Sequence, residues 1–371
     1  QAITYRGGRV FDGDKLHDDY SVCLEDGVLT ALDRDDRLET RGTEVDLDGA
    51  ILSPGYVDLQ VNGGDGVMFN DDPSVETLER IARAHRRLGT SAILPTLITD
   101  APDLTRAAVD AVREACEARL DGIVGLHLEG PHLSQSRKGA HDSALIRPMT
   151  EADMEFLLEA AQTLPRLMVT IAPESATLDQ VRRLAQSGVL LSLGHTDADF
   201  ATCHAYVAAG VRCVTHLFNA MRQLGNREPG VVGAALDIGS LSAGLIADGI
   251  HVHPATMRAA FAAKRGPGQI FLVTDAMAPA GTDAKSFTLN GRTIQRSDGR
   301  LTLADGTLAG ADLDLTRALK VAVDEAGLSL ERALRAATSI PADVASLSHG
   351  RLRPGTRPAL VEISAELTSV R

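Results

Sequence analysis

The chain has 371 residues, carries 37 Lys and Arg against 50 Asp and Glu for a net charge of −13, and is 44% hydrophobic and 23% charged. That length holds about two domains, or one large barrel with an appendage, and the acidic balance argues against an extended nucleic-acid surface or an anionic-membrane patch. No apolar run approaches the ~20 residues that cross a bilayer. The four cysteines, Cys23, Cys116, Cys203 and Cys213, have no CxxC spacing and no disulfide-dense frame, so reduced thiols are expected. No charged-then-apolar leader follows Gln1, and a cytoplasmic location is the expectation.

Residues 1–49 read as short alternating segments, ITY, GRVF, YSVCLE and VLTAL, broken by the turn pairs Gly7-Gly8, Asp12-Gly13 and Asp26-Gly27, which is hairpin grammar. Residues 346–371 resume it with GRLRPG and PALVEI. Both ends are expected to form one small discontinuous, β-sandwich-like domain around an α/β middle, residues 50–345. In that middle, eight strand-like runs alternate with amphipathic helical segments: ILSPGYVDLQV, SAILPTLIT, IVGLHLE, RLMVTIAP, VLLSLGH, VRCVTHLF, SAGLIADG and IFLVTDA. Helices are expected near 74–88, 102–119, 150–164, 177–187, 198–209 and 254–264, with the link between the sixth and seventh strands the least clear. Eight β-α units in about 225 residues point to a (β/α)8 TIM-type barrel, ahead of a doubly wound open sheet. After the eighth strand, one Asn-Gly and two Asp-Gly turns between alternating segments predict an inserted β-meander at about 286–308. Helices are expected to follow near 312–326 and 330–337.

In parallel barrels the chemistry sits at the carboxyl ends of the strands. Side chains alternate along a strand, so in IVGLHLEGP the residues Gly125, His127 and Glu129 share a face opposite Leu126 and Leu128, and Gly130-Pro131 ends the strand at Glu129. The other strand ends supply Gln60 and Asn62, Thr96, Glu174, His195, His216, Asp248 with His251, and Asp275. A lone glutamate or histidine in such a place is usually structural. Glu129, His195 and His216 on three strands of one barrel form a ligand set for a divalent metal with an open position for water. Such a metal lowers the pKa of its water towards ~7. Asp275, after four apolar residues and a threonine in IFLVTDA, can then serve as general base and afterwards as general acid.

The motifs PGYVDLQVNG, GLHLEGP, KGAH, LGHT, THLFNAM, REPG, ADGIHV and LVTDAMAPAG run in order across nearly the whole chain. In that order they resemble the N-acetylglucosamine-6-phosphate deacetylases of the amidohydrolase superfamily. The resemblance implies Glu129, His195 and His216 as ligands of one divalent metal per subunit, zinc with Fe2+, Co2+ and Mn2+ as alternatives. It implies Asp275 as the acid/base and His141 of the KGAH element as the group that polarises the acetyl carbonyl. Relatives with two metals usually carry His-x-His on the first strand, whereas this chain has Gln60-Val61-Asn62; amides are poorer zinc ligands than imidazoles, so a single metal is expected, with Gln60 and Asn62 free to orient water or sugar.

For the phosphate, the implied groups are the Asn219 amide, the Ala220 N–H, Arg227 and His251, since an Arg fork and backbone donors suit a phosphate monoester. The REPG arginine of the family reaches a neighbouring subunit's site, which implies a homodimer with Arg227 shared. One departure is LAGA, where the family commonly has LAGS and Ala311 stands without the hydroxyl. The implied reaction is hydrolysis of N-acetyl-D-glucosamine 6-phosphate to D-glucosamine 6-phosphate and acetate. The alternatives are the galactose epimer, another amide of the superfamily, and a non-catalytic oligomeric scaffold.

Overall fold

The computed structural model describes residues 1–371. Eight parallel strands lie side by side in chain order: Tyr56–Val61, Thr90–Ile98, Leu126–Glu129, Leu167–Ile171, Leu190–Leu193, Cys213–Val214, Ser242–Ile246 and Ile270–Val273. The first and eighth strands close the ring where Val61 bridges Ala276 and the Asp275 N–H donates to the Gln60 carbonyl at 3.0 Å. This is the expected (β/α)8 barrel. Its strands are apolar on their outer faces, and the main core runs continuously from them into the surrounding helices.

The helices follow local signals. Thr150 and Thr177 each form a capping box, with Asp153 and Gln180, and so start the helices Glu151–Thr163 and Leu178–Gln186 by satisfying N–H groups that have no partner within the helix. Pro102 and Pro254 open two more helices at their first turn, where a missing N–H costs nothing. The unclear link between the sixth and seventh strands is the helix Gly230–Asp237, buried on every side from Gly230 to Leu236. A short helix that is apolar all round carries no periodicity to read.

One expected strand is in fact two. Ile51–Pro54 joins a four-stranded sheet with Leu360–Ile363 on one side and Arg9–Phe11, then Leu16–His17, on the other, while Tyr56–Val61 enters the barrel. Gly55 is the hinge, and a Cβ there would press into Ser91 of the second barrel strand at 2.5 Å. A second four-stranded sheet holds Ala2–Arg6, Tyr20–Glu25, Val28–Arg34 and Thr43–Asp46. Val10, Val22, Leu29, Leu52 and Leu352 pack together as a small core of residues from both chain ends. Ser286–Leu289, Arg292–Ser297, Arg300–Thr302 and Leu308–Ala311 form an antiparallel meander, whose Leu289, Ile294 and Leu301 pack on Met68 and Met277. The helix after it, Leu315–Lys320, continues as a π turn through Glu325.

Candidate active site

Inside the barrel, beneath its mouth, lies a chain of buried polar groups with a readable direction. His127 Nδ1 donates to the Leu59 carbonyl at 2.9 Å, so its Nε2 accepts from Thr170 at 2.7 Å; Thr170 in turn accepts from Thr215, and Thr215 from Ser192, each at 2.7 Å. Burial holds His127 down to about 4, consistent with this neutral tautomer. Thr96 also lies here, accepting from the Val61 N–H at 3.0 Å. The polar end of the second strand at the barrel mouth is therefore Thr99, three residues beyond the one expected.

Above this layer Glu129 Oε1 lies 3.1 Å from His195 Nε2 and 3.0 Å from His216 Nε2, and the two Nε2 atoms are 3.1 Å apart. His195 Nδ1 donates to the Arg137 carbonyl at 2.8 Å, so its Nε2 carries a lone pair. The three converging atoms thus share at most one proton, and a single cation satisfies all of them. Ligands held about 2.0–2.2 Å from one zinc in a tetrahedron lie about 3.3–3.5 Å apart, close to the separations seen, and the donor set fits a divalent metal. Ligand-type atoms of Glu129, His141 and His195 also lie within 4.8 Å of one another, making four clustered side chains where three were expected. The Glu129–His195–His216 triangle is the tighter of the two. Burial works to raise the Glu129 carboxyl, but the His195 and His216 imidazoles against it hold it well below its usual range. Burial likewise disfavours the charged form of His216, yet the Glu129 carboxylate leaves it raised.

Asp275 is buried beside this triangle. Its Oδ1 accepts from Asn62 Nδ2 at 2.7 Å and Gln60 Nε2 at 3.3 Å. Burial and the Glu129 charge push its carboxyl up to about 6. His141 Nδ1 pairs with Thr99 Oγ1 at 2.7 Å, and its Nε2 is 3.9 Å from Glu129 Oε2; burial, then the neighbouring His195, pushes it down to about 3. Gly130 makes room for this pair, because a Cβ there would run into the Thr99 hydroxyl, and its φ of +90° suits glycine.

These groups open into a cavity of about 490 Å³ lined by Asn62, Glu129, His141, His195, His216, Asn219, Ala220, His251 and Asp275, within the ligand-sized range of about 300–1,000 Å³. The meander roofs it through Leu289, Thr307 and Leu308, and Arg292 ties the meander to the His141 loop by donating to the Ala140 carbonyl at 2.5 Å. His251 is oriented by the buried Asp248, 2.6 Å from its Nδ1. The Ala220 N–H has no backbone acceptor.

Of the residues given a catalytic, metal or substrate role from sequence, Gln60 and Arg227 alone stand off the cavity, and of the other strand-end residues Thr96, Glu174 and Asp248 also lie outside its lining. Gln60 is buried behind Asp275 and meets it through the amide; Arg227 is exposed on the 222–229 loop. Thr99, Asp248 as a partner of His251, and the Arg137 carbonyl were not assigned from sequence. Thr99 carried the same strand-end signal as the others, whereas a backbone carbonyl carries none. Ala311 is buried, and its N–H donates to the Asp275 carbonyl at 2.9 Å.

Residues 51–369 match the profile of the Amidohydrolase family. The chain is 41% identical to an N-acetylgalactosamine-6-phosphate deacetylase of Shewanella sp. (strain ANA-3), over 91% of this chain and 85% of that protein. It is 36% identical to an N-acetylglucosamine-6-phosphate deacetylase of Haemophilus influenzae, over 87% of this chain and 84% of that protein. The crystal structure of N-acetylglucosamine-6-phosphate deacetylase from Pasteurella multocida superposes with a TM-score of 0.93 at 31% identity, covering 100% of this chain and 97% of that one. A metal-type triangle at the mouth of a (β/α)8 barrel and a profile match over most of the sequence agree: the chain belongs to the amidohydrolase family.

Proposed function

We propose that this chain is a metal-dependent deacetylase that hydrolyses N-acetyl-D-glucosamine 6-phosphate to D-glucosamine 6-phosphate and acetate. The observation that carries the reading is the convergence of Glu129, His195 and His216 beside the buried Asp275 in one cavity. Relatives named for this reaction align over most of the chain. A divalent cation in the triangle, zinc by its ligand chemistry, supplies Lewis acidity for activating water and polarising a carbonyl. Asn62 and Gln60 aim Asp275, whose carboxylate takes a proton from the attacking water and returns it to the departing nitrogen. The His141 imidazole is neutral at pH 7. With the Thr99 hydroxyl donating to Nδ1, its Nε2–H is free to bond the acetyl oxygen, where negative charge develops. Amides at 60 and 62 in place of imidazoles support a single metal ion.

The Asn219 amide, the Ala220 N–H and the Asp248-backed His251 are suited to the phosphate. The only arginine on the cavity, Arg137, is already paired with Asp197 at 2.7 Å. Arg227 forms no ion pair, and on the same exposed loop Leu224 is 59% accessible. Both features support a homodimer in which Arg227 completes the partner's phosphate site. The four free cysteines support a reducing, cytoplasmic compartment.

The 41% identity to an N-acetylgalactosamine-6-phosphate deacetylase favours a second reading, activity on the galacto epimer. Acetate release is to be measured from both 6-phosphates and from unphosphorylated N-acetylglucosamine, with metal-loaded wild type and Asp275→Asn. Preference for a phosphorylated sugar, with loss of nearly all turnover and unchanged metal content in the variant, is expected. The ratio of kcat/KM for the two epimers decides between the readings. Failure of well-folded, metal-loaded protein to release acetate from any of them overturns both.

A further inference from the structure

At the opposite face of the barrel from the catalytic cavity, a second cavity of about 510 Å³ opens between the end of the helix Pro254–Ala263, the entry to the eighth strand, and the helix Leu330–Ala337. That last helix buries Ala333, Leu334, Ala336 and Ala337, which turns Arg332 and Arg335, one turn apart, towards this cavity. Like charges at this spacing oppose each other. Lys264 stands across from them, and no carboxylate lies within 4.0 Å of any of the three cations. The one acid on the wall, Glu331, is occupied by the Leu16 N–H at 3.0 Å. Arg332 is held by the Phe261 carbonyl at 2.7 Å and stacks on the Phe261 ring. Arg335 has no such support, and its Nε is buried without any acceptor. Burial alone pushes the Lys264 amine down to about 8, as for a cation that lacks a counterion.

An unpaired guanidinium with a buried, unsatisfied N–H is costly, and a chain with net charge −13 had carboxylates available to neutralise it. We propose that this cavity binds a phosphate-bearing dianion, held by Arg335, Arg332 and Lys264, as a site separate from the catalytic one. Three cations facing one carboxylate match a doubly charged oxyanion, and guanidinium forks suit its geometry. The apolar walls, Phe261, Ile270 and Ile340, leave room for an organic substituent on the phosphate.

The test is calorimetric titration of the full-length chain with inorganic phosphate and, separately, with phenyl phosphate, for wild type, Arg335→Gln and Lys264→Gln. Any phosphate bound in the catalytic cavity is common to all three proteins, so the difference between them isolates this site. Wild type is expected to show an additional site that weakens at least about tenfold in each variant, the loss of one charge-assisted contact. Turnover without added phosphate is expected to stay unchanged. Tighter binding of phenyl phosphate assigns the site to an organic ester, and equal binding to the inorganic ion. Lys264 is half-exposed, so Lys264→Gln retains the test if Arg335→Gln does not fold. Superimposable isotherms for the three proteins overturn the proposal.

Discussion

Asp58 lies fully buried beneath Asp275 and is the most informative place to perturb. Its carboxyl accepts from Thr274 Oγ1 at 2.5 Å, the Gln60 N–H at 3.2 Å and the Thr274 N–H at 3.3 Å. Burial overrides these bonds, and with a smaller push from the Asp275 charge it raises the carboxyl from 3.8 to about 7. The folded protein therefore binds this proton more tightly than the unfolded chain. The group's contribution to stability is complete below about pH 4 and is lost as pH rises through about 7. A shift of about three units at 1.36 kcal/mol each makes that loss about 4 kcal/mol. Asp58→Asn imitates the protonated acid: its oxygen can keep both N–H groups, and its amide can donate to the Thr274 hydroxyl, which then turns to the Gln60 carbonyl 3.4 Å away. Urea or thermal unfolding of both proteins between pH 4 and pH 8 provides the assay. The variant is expected to match wild type near pH 4 and to gain progressively towards pH 8. Midpoint differences that do not change with pH would show that Asp58 is ionised throughout and that burial does not raise its carboxyl.

Two further outcomes concern the site itself. In Asn62→Ala, Asp275 loses its 2.7 Å donor, worth about 1.5–3 kcal/mol for a charged acceptor; its carboxyl rises above about 6, so the acidic limb of kcat/KM should move up by about one to two pH units. An unmoved limb with uniformly lower activity would remove Asn62 from the control of Asp275. Elemental analysis of the purified chain should find one tightly held metal ion, and chelation should lower the unfolding temperature as well as abolish activity, because binding to the native state alone stabilises it. Two tight ions per chain would show that Gln60 and Asn62 do not restrict the site to one.

The barrel was legible because eight apolar runs, each ending in a polar residue, cannot easily be anything else. Where sequence reading erred, two structures met without a boundary signal. ILSPGYVDLQV reads as one strand because both halves are apolar, and the division at Gly55 depends on contact with Ser91 and on pairing with Leu360–Ile363 at the far end of the chain. Glu129, His195, His216 and Asp275 were visible as strand-end residues. Their supports were less so, because Thr99 reaches His141, and the Arg137 carbonyl reaches His195, only through folded loops. Gln60 was visible as an amide at the right place, yet only the structure shows that it faces Asp275 and not the open cavity.

The backbone adds a requirement that side-chain chemistry alone does not suggest. His195, His216 and Asp275 have φ of 47°, 33° and 52°, in the left-handed region that costs an L-residue roughly 1–2 kcal/mol. Each lies two residues past the end of its strand, and the left-handed turn directs the side chain over the barrel mouth instead of onward along the strand. Histidine and aspartate are among the residues that tolerate this conformation, asparagine does so better, and β-branched residues do so worst. His216→Asn and His216→Val both delete the imidazole, so they should lose metal affinity alike. They should differ in stability once both are stripped of metal, with the valine variant lower by about 1–2 kcal/mol. Equal stability of the two stripped proteins would mean that the strand end relaxes out of the left-handed region when the imidazole is gone, and that the ligand interaction itself holds the backbone there.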